Sequence, residues 1–343
     1  MFKLEKLVRK NVLKLKPYSS ARDDFQGTAS VYMDANENPH PSSYNRYPDP
    51  HQIKLKDKIA TIKNVPPSQL FLGNGSDEPI DLLIRAFCEP GIDNVLIPQP
   101  TYGMYTVSAE INNIEVNALP LTPEFDINLS TLTKSWNDHT KLIFLCSPNN
   151  PTGNLLDPEK IKTILNQFHG IVVVDEVYID FANYPGFVQL LNQYPNLVVL
   201  QTLSKAWGLA AIRIGMCFAS KEIIAILNKI KPPYNISILT QQVALEELHF
   251  EVRKNRWVAE LVAEREQLKE GLSKLKSVQK VYPSDANFLL VKINDAQKVY
   301  NMLVQKGIIV RDRSTVILCE DCLRITVGTQ SENKALLNEL KLL

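Results

Sequence analysis

Three short apolar runs recur in the middle of the chain: Leu142–Cys146, Ile171–Val174 and Leu197–Leu200. The central run is Ile-Val-Val-Val. It is continuous rather than alternating, as expected of a strand covered on both faces. A helical pattern over Pro158–Phe168 separates the first two runs, with a proline in its first turn where helix geometry tolerates one. Upstream, a helical stretch at Ile80–Phe87 leads to another apolar strand at Val95–Ile97. Strand and helix in alternation wire a parallel sheet through helical crossovers. The expected fold is α/β: a large domain with a mainly parallel sheet flanked by helices, plus a smaller α+β domain.

The smaller domain is read from a change of pattern. Pro232-Pro233 breaks the alternation, and a long helix, broken within, is predicted from about Leu239 to Leu275. Beyond it, strands are predicted at Asn287–Ile293, Ile308–Arg311 and Leu323–Val327, with helices at Ala296–Lys306 and Glu332–Leu340. A chain of 343 residues is long enough for two cores. We expect an N-terminal arm and part of the small domain over 1–45, a large domain over 46–250, a connecting helix over 251–276 and a small domain over 277–343. Residues 18–52, rich in Pro, Asn, Asp and Tyr, read as irregular.

Bulk properties remove several classes of function. The net charge is +1, so nothing favours nucleic acid or an anionic membrane surface as a partner. No apolar run approaches the roughly 18 residues of a membrane span. Met1–Lys16 mixes Lys and Arg with Leu and Val, which suits an amphipathic arm on a partner surface better than a secretory signal. The five cysteines are odd in number and scattered, as in a reducing cytoplasm. Cys319 and Cys322 have C-x-x-C spacing, but no second pair completes a zinc site and no helix follows as a redox site needs. No metal is expected.

The chemistry is concentrated after the strand ends. Lys205 lies in Thr202-Leu203-Ser204-Lys205-Ala206-Trp207-Gly208-Leu209, an uncharged and largely apolar setting, with Arg213 eight positions on. Such surroundings disfavour an ammonium ion and make an amine nucleophile. That amine suits a Schiff base with an aldehyde such as pyridoxal phosphate, whose phosphate the hydroxyls of Thr202 and Ser204 and the guanidinium of Arg213 suit. Asp175 and Tyr178 follow the Ile171–Val174 strand, at the carboxyl end where open α/β sheets bind ligands. A carboxylate there suits a protonated pyridine nitrogen, and a phenol suits the ring oxygen. Asn149, in Ser147-Pro148-Asn149-Asn150-Pro151-Thr152-Gly153, is a candidate donor to an anionic oxygen. Leu72-Gly73-Asn74-Gly75-Ser76-Asp77-Glu78 opens a helix and offers backbone N–H groups to a phosphate. Tyr102 follows another strand and is a candidate for stacking on a planar ring. Each residue alone has a plainer explanation: a helix cap, a turn, a packed aromatic or a surface ion pair.

Taken in order, these segments resemble the fold-type I pyridoxal-phosphate-dependent aminotransferases over nearly the whole chain. The resemblance implies catalytic roles for Lys205, Asp175 and Tyr178. It implies cofactor contacts from Gly75, Ser76, Asp77, Tyr102, Asn149, Thr202, Ser204 and Arg213. Within that family the chain is most similar to the histidinol-phosphate aminotransferase group. The supporting stretches are Asp34-Ala35-Asn36-Glu37-Asn38-Pro39, Asn45-Arg46-Tyr47-Pro48-Asp49-Pro50, Lys231-Pro232-Pro233-Tyr234-Asn235-Ile236-Ser237 and Leu323-Arg324-Ile325-Thr326-Val327-Gly328-Thr329. The likeness implies substrate contacts from Tyr18, Asn36, Arg311 and Arg324, with the two guanidinium forks serving either a phosphate ester or the carboxylate of glutamate. It also implies that Tyr47 reaches the cofactor of a neighbouring subunit, so that a homodimer would share its active sites. An aromatic-amino-acid aminotransferase and a threonine-phosphate decarboxylase of the same architecture remain alternatives. A nicotinamide-dependent dehydrogenase fits poorly, because the glycine fingerprint is missing.

Overall fold

The computed structural model describes residues 3–18 and 29–342. Its larger sheet contains β1 (Leu70–Asn74), β2 (Asn94–Gln99), β3 (Glu115–Pro120), β4 (Thr140–Cys146), β5 (Ile171–Asp175), β6 (Leu197–Thr202) and β7 (Ile214–Ala219). The order across the sheet is β1-β7-β6-β5-β4-β2-β3. Strands β2 to β6 pair in parallel, while β7 runs antiparallel to both its neighbours. The smaller sheet is antiparallel, in the order β10-β11-β9-β8, from β8 (Val278–Val281), β9 (Phe288–Ile293), β10 (Arg311–Asp312) and β11 (Cys322–Thr326).

Register explains the apolar runs. Phe144, Val173, Val198 and Ala219 are paired in one row across β4 to β7, and all four enter the apolar cluster on one face. The next row, Leu145, Val174, Val199 and Phe218, enters the cluster on the opposite face. A slip of one residue would exchange the two sets, so burial on both faces still pins the register through the size and shape of each row.

The predicted long helix is two helices, Ile238–Glu247 and Glu251–Ser273, with the break at Leu248–Phe250. The second packs its Leu268 and Leu272 against β9 and β11 in the smaller core. A separate cluster of Tyr178, Phe181, Ala206, Ala286 and Phe288 joins the end of β5 to the start of β9. The N-terminal segment differs from the expectation of an arm laid on a partner. Val8, between two short helices, and Val12, on the second of them, bury in the large-sheet cluster, and Arg9 pairs with Glu89 at 3.2 Å. Residues 3–14 are therefore bound to the larger unit of their own chain, not to the smaller one.

Phe218→Ala should destabilise the protein by about 3–5 kcal/mol, since the ring is fully buried. Chemical denaturation measures this, and a loss under about 1 kcal/mol would contradict the packing of that row.

Candidate active site

A pocket of about 160 Å³ opens at the carboxyl ends of β4, β5 and β6, where Cys146, Asp175 and Thr202 are the last strand residues. In a parallel sheet these ends converge, and the loops that follow them surround one space. Gly75, Ser76, Asp77, Tyr102, Tyr178, Ser204, Lys205 and Arg213 line the same pocket. The structure thus brings together most of the residues singled out from the sequence.

Asp175 forms the floor and is 1 % exposed. Its Oδ2 accepts a 2.5 Å hydrogen bond from the Tyr105 hydroxyl, and its Oδ1 accepts the Val177 N–H at 3.2 Å. Tyr105 is itself fully buried and stacked on Phe144, with ring centroids 4.8 Å apart. No cation lies within ion-pair distance of the Asp175 carboxylate among the described residues. Burial accordingly raises its pKa to about 6, and the Tyr105 hydrogen bond opposes that rise.

Lys205 lines the pocket, and the residue as a whole is exposed. Burial, reinforced by the charge of Arg324, pulls its pKa below the usual lysine value. Its Nζ lies 5.5 Å from the centre of the Tyr178 ring. The Tyr178 hydroxyl is held well above its ordinary pKa, chiefly by burial.

The other end of the pocket is a cradle of small residues and donors. The Asp77–Phe87 helix begins there, and the Gly75 N–H donates to the Arg213 carbonyl at 2.9 Å. Gly75 takes φ +68°, a conformation that costs glycine little, and a Cβ on it would meet the Arg213 guanidinium at 2.5 Å. A Cβ on Gly215 would collide with the Gly75 backbone. Thr202 Oγ1 donates to the Ile214 carbonyl at 2.9 Å and lies 3.0 Å from Ser204 Oγ. Arg213 reaches Asp77 at 3.7 Å, and the Tyr102 hydroxyl donates to the other Asp77 oxygen at 3.0 Å. Behind them, Glu78 accepts from the Asn74 N–H and from Asn235, which ties the Gly73–Glu78 turn to the 231–237 segment.

The Ser147–Gly153 loop departs from its reading by one position. Asn149 is fully engaged inside the loop: its amide donates to the Pro100 carbonyl and to Thr152 Oγ1, each at 2.8 Å, and its oxygen accepts from Thr101. Asn150 lines the pocket instead, and its Oδ1 accepts a 2.5 Å hydrogen bond from Arg324 on β11. Adjacent asparagines in a proline-bounded loop look alike in sequence, and only the hydrogen bonds show which side chain is spent.

Besides Asn149, five expected residues do not line this pocket, and of these only Arg324 touches a residue that does, through Asn150. Tyr18 is 74 % exposed and lines a separate groove with Pro50, His51 and Lys231. Asn36 is exposed, with φ +56°. Tyr47 is about half exposed and stacks on Tyr234 at 4.5 Å. Arg311 sits on the small-domain ladder opposite Arg324. Conversely, Tyr105, Asn150 and Gly215 had no assigned part in the sequence reading. Each stands in a stretch that was singled out, next to or near the residue that received the role.

Residues 17–340 match the family described as aminotransferase class I and II. The chain belongs to that family. This aminotransferase is 56 % identical to a histidinol-phosphate aminotransferase of Cytophaga hutchinsonii, over 99 % of each chain. Among solved structures it resembles the histidinol-phosphate aminotransferase of Clostridium acetobutylicum, with a TM-score of 0.80 and 25 % identity over 86 % of this chain and 90 % of that one. A histidinol-phosphate aminotransferase from Sinorhizobium meliloti, solved in complex with pyridoxal-5′-phosphate, shares the fold at TM-score 0.80 and 22 % identity, over 87 % of this chain and 82 % of that one.

Gly215→Ala should push the Gly75 turn outward and weaken the binding of inorganic phosphate to the cofactor-free aminotransferase by about tenfold or more. Calorimetric titration reads this directly, and unchanged binding would remove the cradle from the site.

Proposed function

We propose that this aminotransferase moves the amino group of L-histidinol phosphate to 2-oxoglutarate, yielding 3-(imidazol-4-yl)-2-oxopropyl phosphate and L-glutamate in histidine biosynthesis. The observation that carries the chemistry is the buried Asp175 carboxylate, with no cation within ion-pair distance among the described residues, in one pocket with a lysine whose ammonium form is disfavoured. The names of full-length relatives carry the substrate.

Pyridoxal phosphate fits the residues present. Asp175 offers a charge that a protonated pyridine nitrogen would match, and Tyr102 offers an aromatic wall tethered through Asp77. Gly75, Ser76 and the first turn of the Asp77–Phe87 helix, with Thr202, Ser204 and Arg213, would hold the phosphate. Tyr178 and Asn150 would hold the ring oxygen; Asn149 holds the loop that presents Asn150. When bound, the cofactor supplies an electron sink for negative charge developing at the substrate Cα.

The remaining steps belong to the protein. Lys205 Nζ, more readily uncharged than an ordinary lysine amine, would take the proton from the Cα of the amino donor in the first half-reaction and give one to the α-carbon of the amino acceptor in the second. Asp175 keeps the pyridine nitrogen protonated. Arg324, steadied by Asn150 and lying over the Phe288 ring at 5.4 Å, and Arg311 beside it receive the anionic end of the substrate. Residues 46–250 form the large domain, 251–276 the connecting helix and 277–343 the small domain, so substrate is gripped between two units. Tyr47, Tyr18 and Asn36 lie off their own pocket because they complete the site together with a second copy in a cytoplasmic homodimer.

Lys205→Ala should lower turnover by at least about a hundredfold and remove the visible absorbance of the bound cofactor. Retention of both would refute the assignment of the base. Histidinol phosphate, phenylalanine and threonine phosphate compared by kcat/KM test the substrate; preference for either of the latter two would overturn it.

Asp175 also sets a pH dependence. Its folded pKa of about 6 lies above the unfolded value near 3.8, so its contribution to stability is present at low pH and lost as pH rises through about 6. Cofactor-free Asp175→Asn should therefore melt no lower than the parent protein at pH 8. Its cofactor affinity should nonetheless be weaker, and the parent's affinity should fall as pH drops below about 6. An affinity flat across that range would contradict the role given to Asp175.

A further inference from the structure

Arg311 and Arg324 are register partners on β10 and β11. Arg313 follows Arg311 by two residues, and its N–H donates to the Cys322 carbonyl at 2.9 Å, which continues the ladder. Side chains two apart on a strand share a face, so three guanidinium groups stand on one side of this ribbon. Burial first, then the charges of Arg324 and Arg311, depress the pKa of Arg313. Arg324 is likewise depressed, mainly by burial.

None of the three arginines has an acidic partner within ion-pair distance among the described residues. The Nε of Arg313 and the Nε of Arg324 are both buried and lack any hydrogen-bond partner. Buried guanidinium N–H groups without acceptors are costly, and three like charges on one face add repulsion. Both costs are offset if an anion with many acceptor oxygens enters between them. Tyr178, which lines the Lys205 pocket, is among the groups close enough to act on Arg313 electrostatically.

We propose that Arg313 is a third anion-binding residue that makes this site select an amine bearing a phosphate ester over one bearing a carboxylate. The inference rests on the function proposed above and extends its two-arginine site. A carboxylate carries one charge on two oxygens and is satisfied by a single fork. A phosphate monoester carries a charge of about −1.5 to −2 on three oxygens, enough for three guanidinium partners. The third arginine therefore favours the phosphorylated substrate in one half-reaction and adds little for glutamate in the other.

The test uses Arg313→Gln and Arg313→Lys in the holoenzyme, where the cofactor already fills its own phosphate site. Inorganic phosphate is titrated calorimetrically, and steady-state constants are measured for L-histidinol phosphate and for L-glutamate. Arg313→Gln should weaken phosphate binding by about ten- to a hundredfold and raise the KM for histidinol phosphate comparably. The kcat, and the KM for glutamate, should stay within about threefold. Arg313→Lys should restore most of the phosphate binding. Unchanged phosphate affinity, or equal losses for both substrates, overturns the proposal. If the parent enzyme fails to use histidinol phosphate, the functional reading falls, while the phosphate titration still decides whether Arg313 binds anions.

Discussion

The site depends on a charge almost wholly withdrawn from solvent. Asp175 ends the central strand of the sheet, buried along its whole length, and among the described residues its carboxylate is hydrogen-bonded by a phenol and a backbone N–H. A carboxylate in that position is unstable alone and becomes favourable when a cation meets it. The surroundings serve that requirement. Tyr105 is locked between Phe144 and Tyr102 so that its hydroxyl points at the carboxylate, and the β4 and β6 rows on either side keep solvent out. The protein thus spends stability in its ligand-free state to keep a strong electrostatic partner ready.

The second constraint is that the site is assembled from two units. The larger sheet provides the floor and the cradle; the smaller sheet provides arginines. The hydrogen bond from Arg324 to Asn150 and the apolar cluster of Tyr178, Ala286 and Phe288 connect them. Movement of the smaller unit would carry Arg311, Arg313 and Arg324 together, because they share one ladder. The arginine ladder and the pocket floor therefore belong to separate sheets, joined by Asn150, which lines the pocket and bonds Arg324.

Much of this was legible in the chain because strand ends are legible. An apolar run that stops at Asp175, or at Thr202, announces both a buried strand and the position of its carboxyl end. What failed was resolution within loops. Asn149 and Asn150 have the same chemistry and the same neighbours, and the choice between them depends on Pro100, Thr101 and Arg324, which are remote in sequence. Tyr105 carries no signal of its own in the sequence; its place comes from meeting Asp175 across 70 positions of chain. The N-terminal segment was assigned to a partner surface because its pattern shows an apolar face without showing what covers it. Val8 and Val12 find that cover on their own sheet.

By itself the sequence determined the α/β class, the residues at the strand ends and the chemical kinds gathered there, because periodicity and residue type are local properties. Tertiary structure alone decided which asparagine faces the pocket and, among the described residues, that Asp175 has no cation within ion-pair distance and that three arginines share one face without a carboxylate partner. Those are properties of distance and burial between segments far apart in the chain. They arise only when the two sheets and the loops between them are packed against one another.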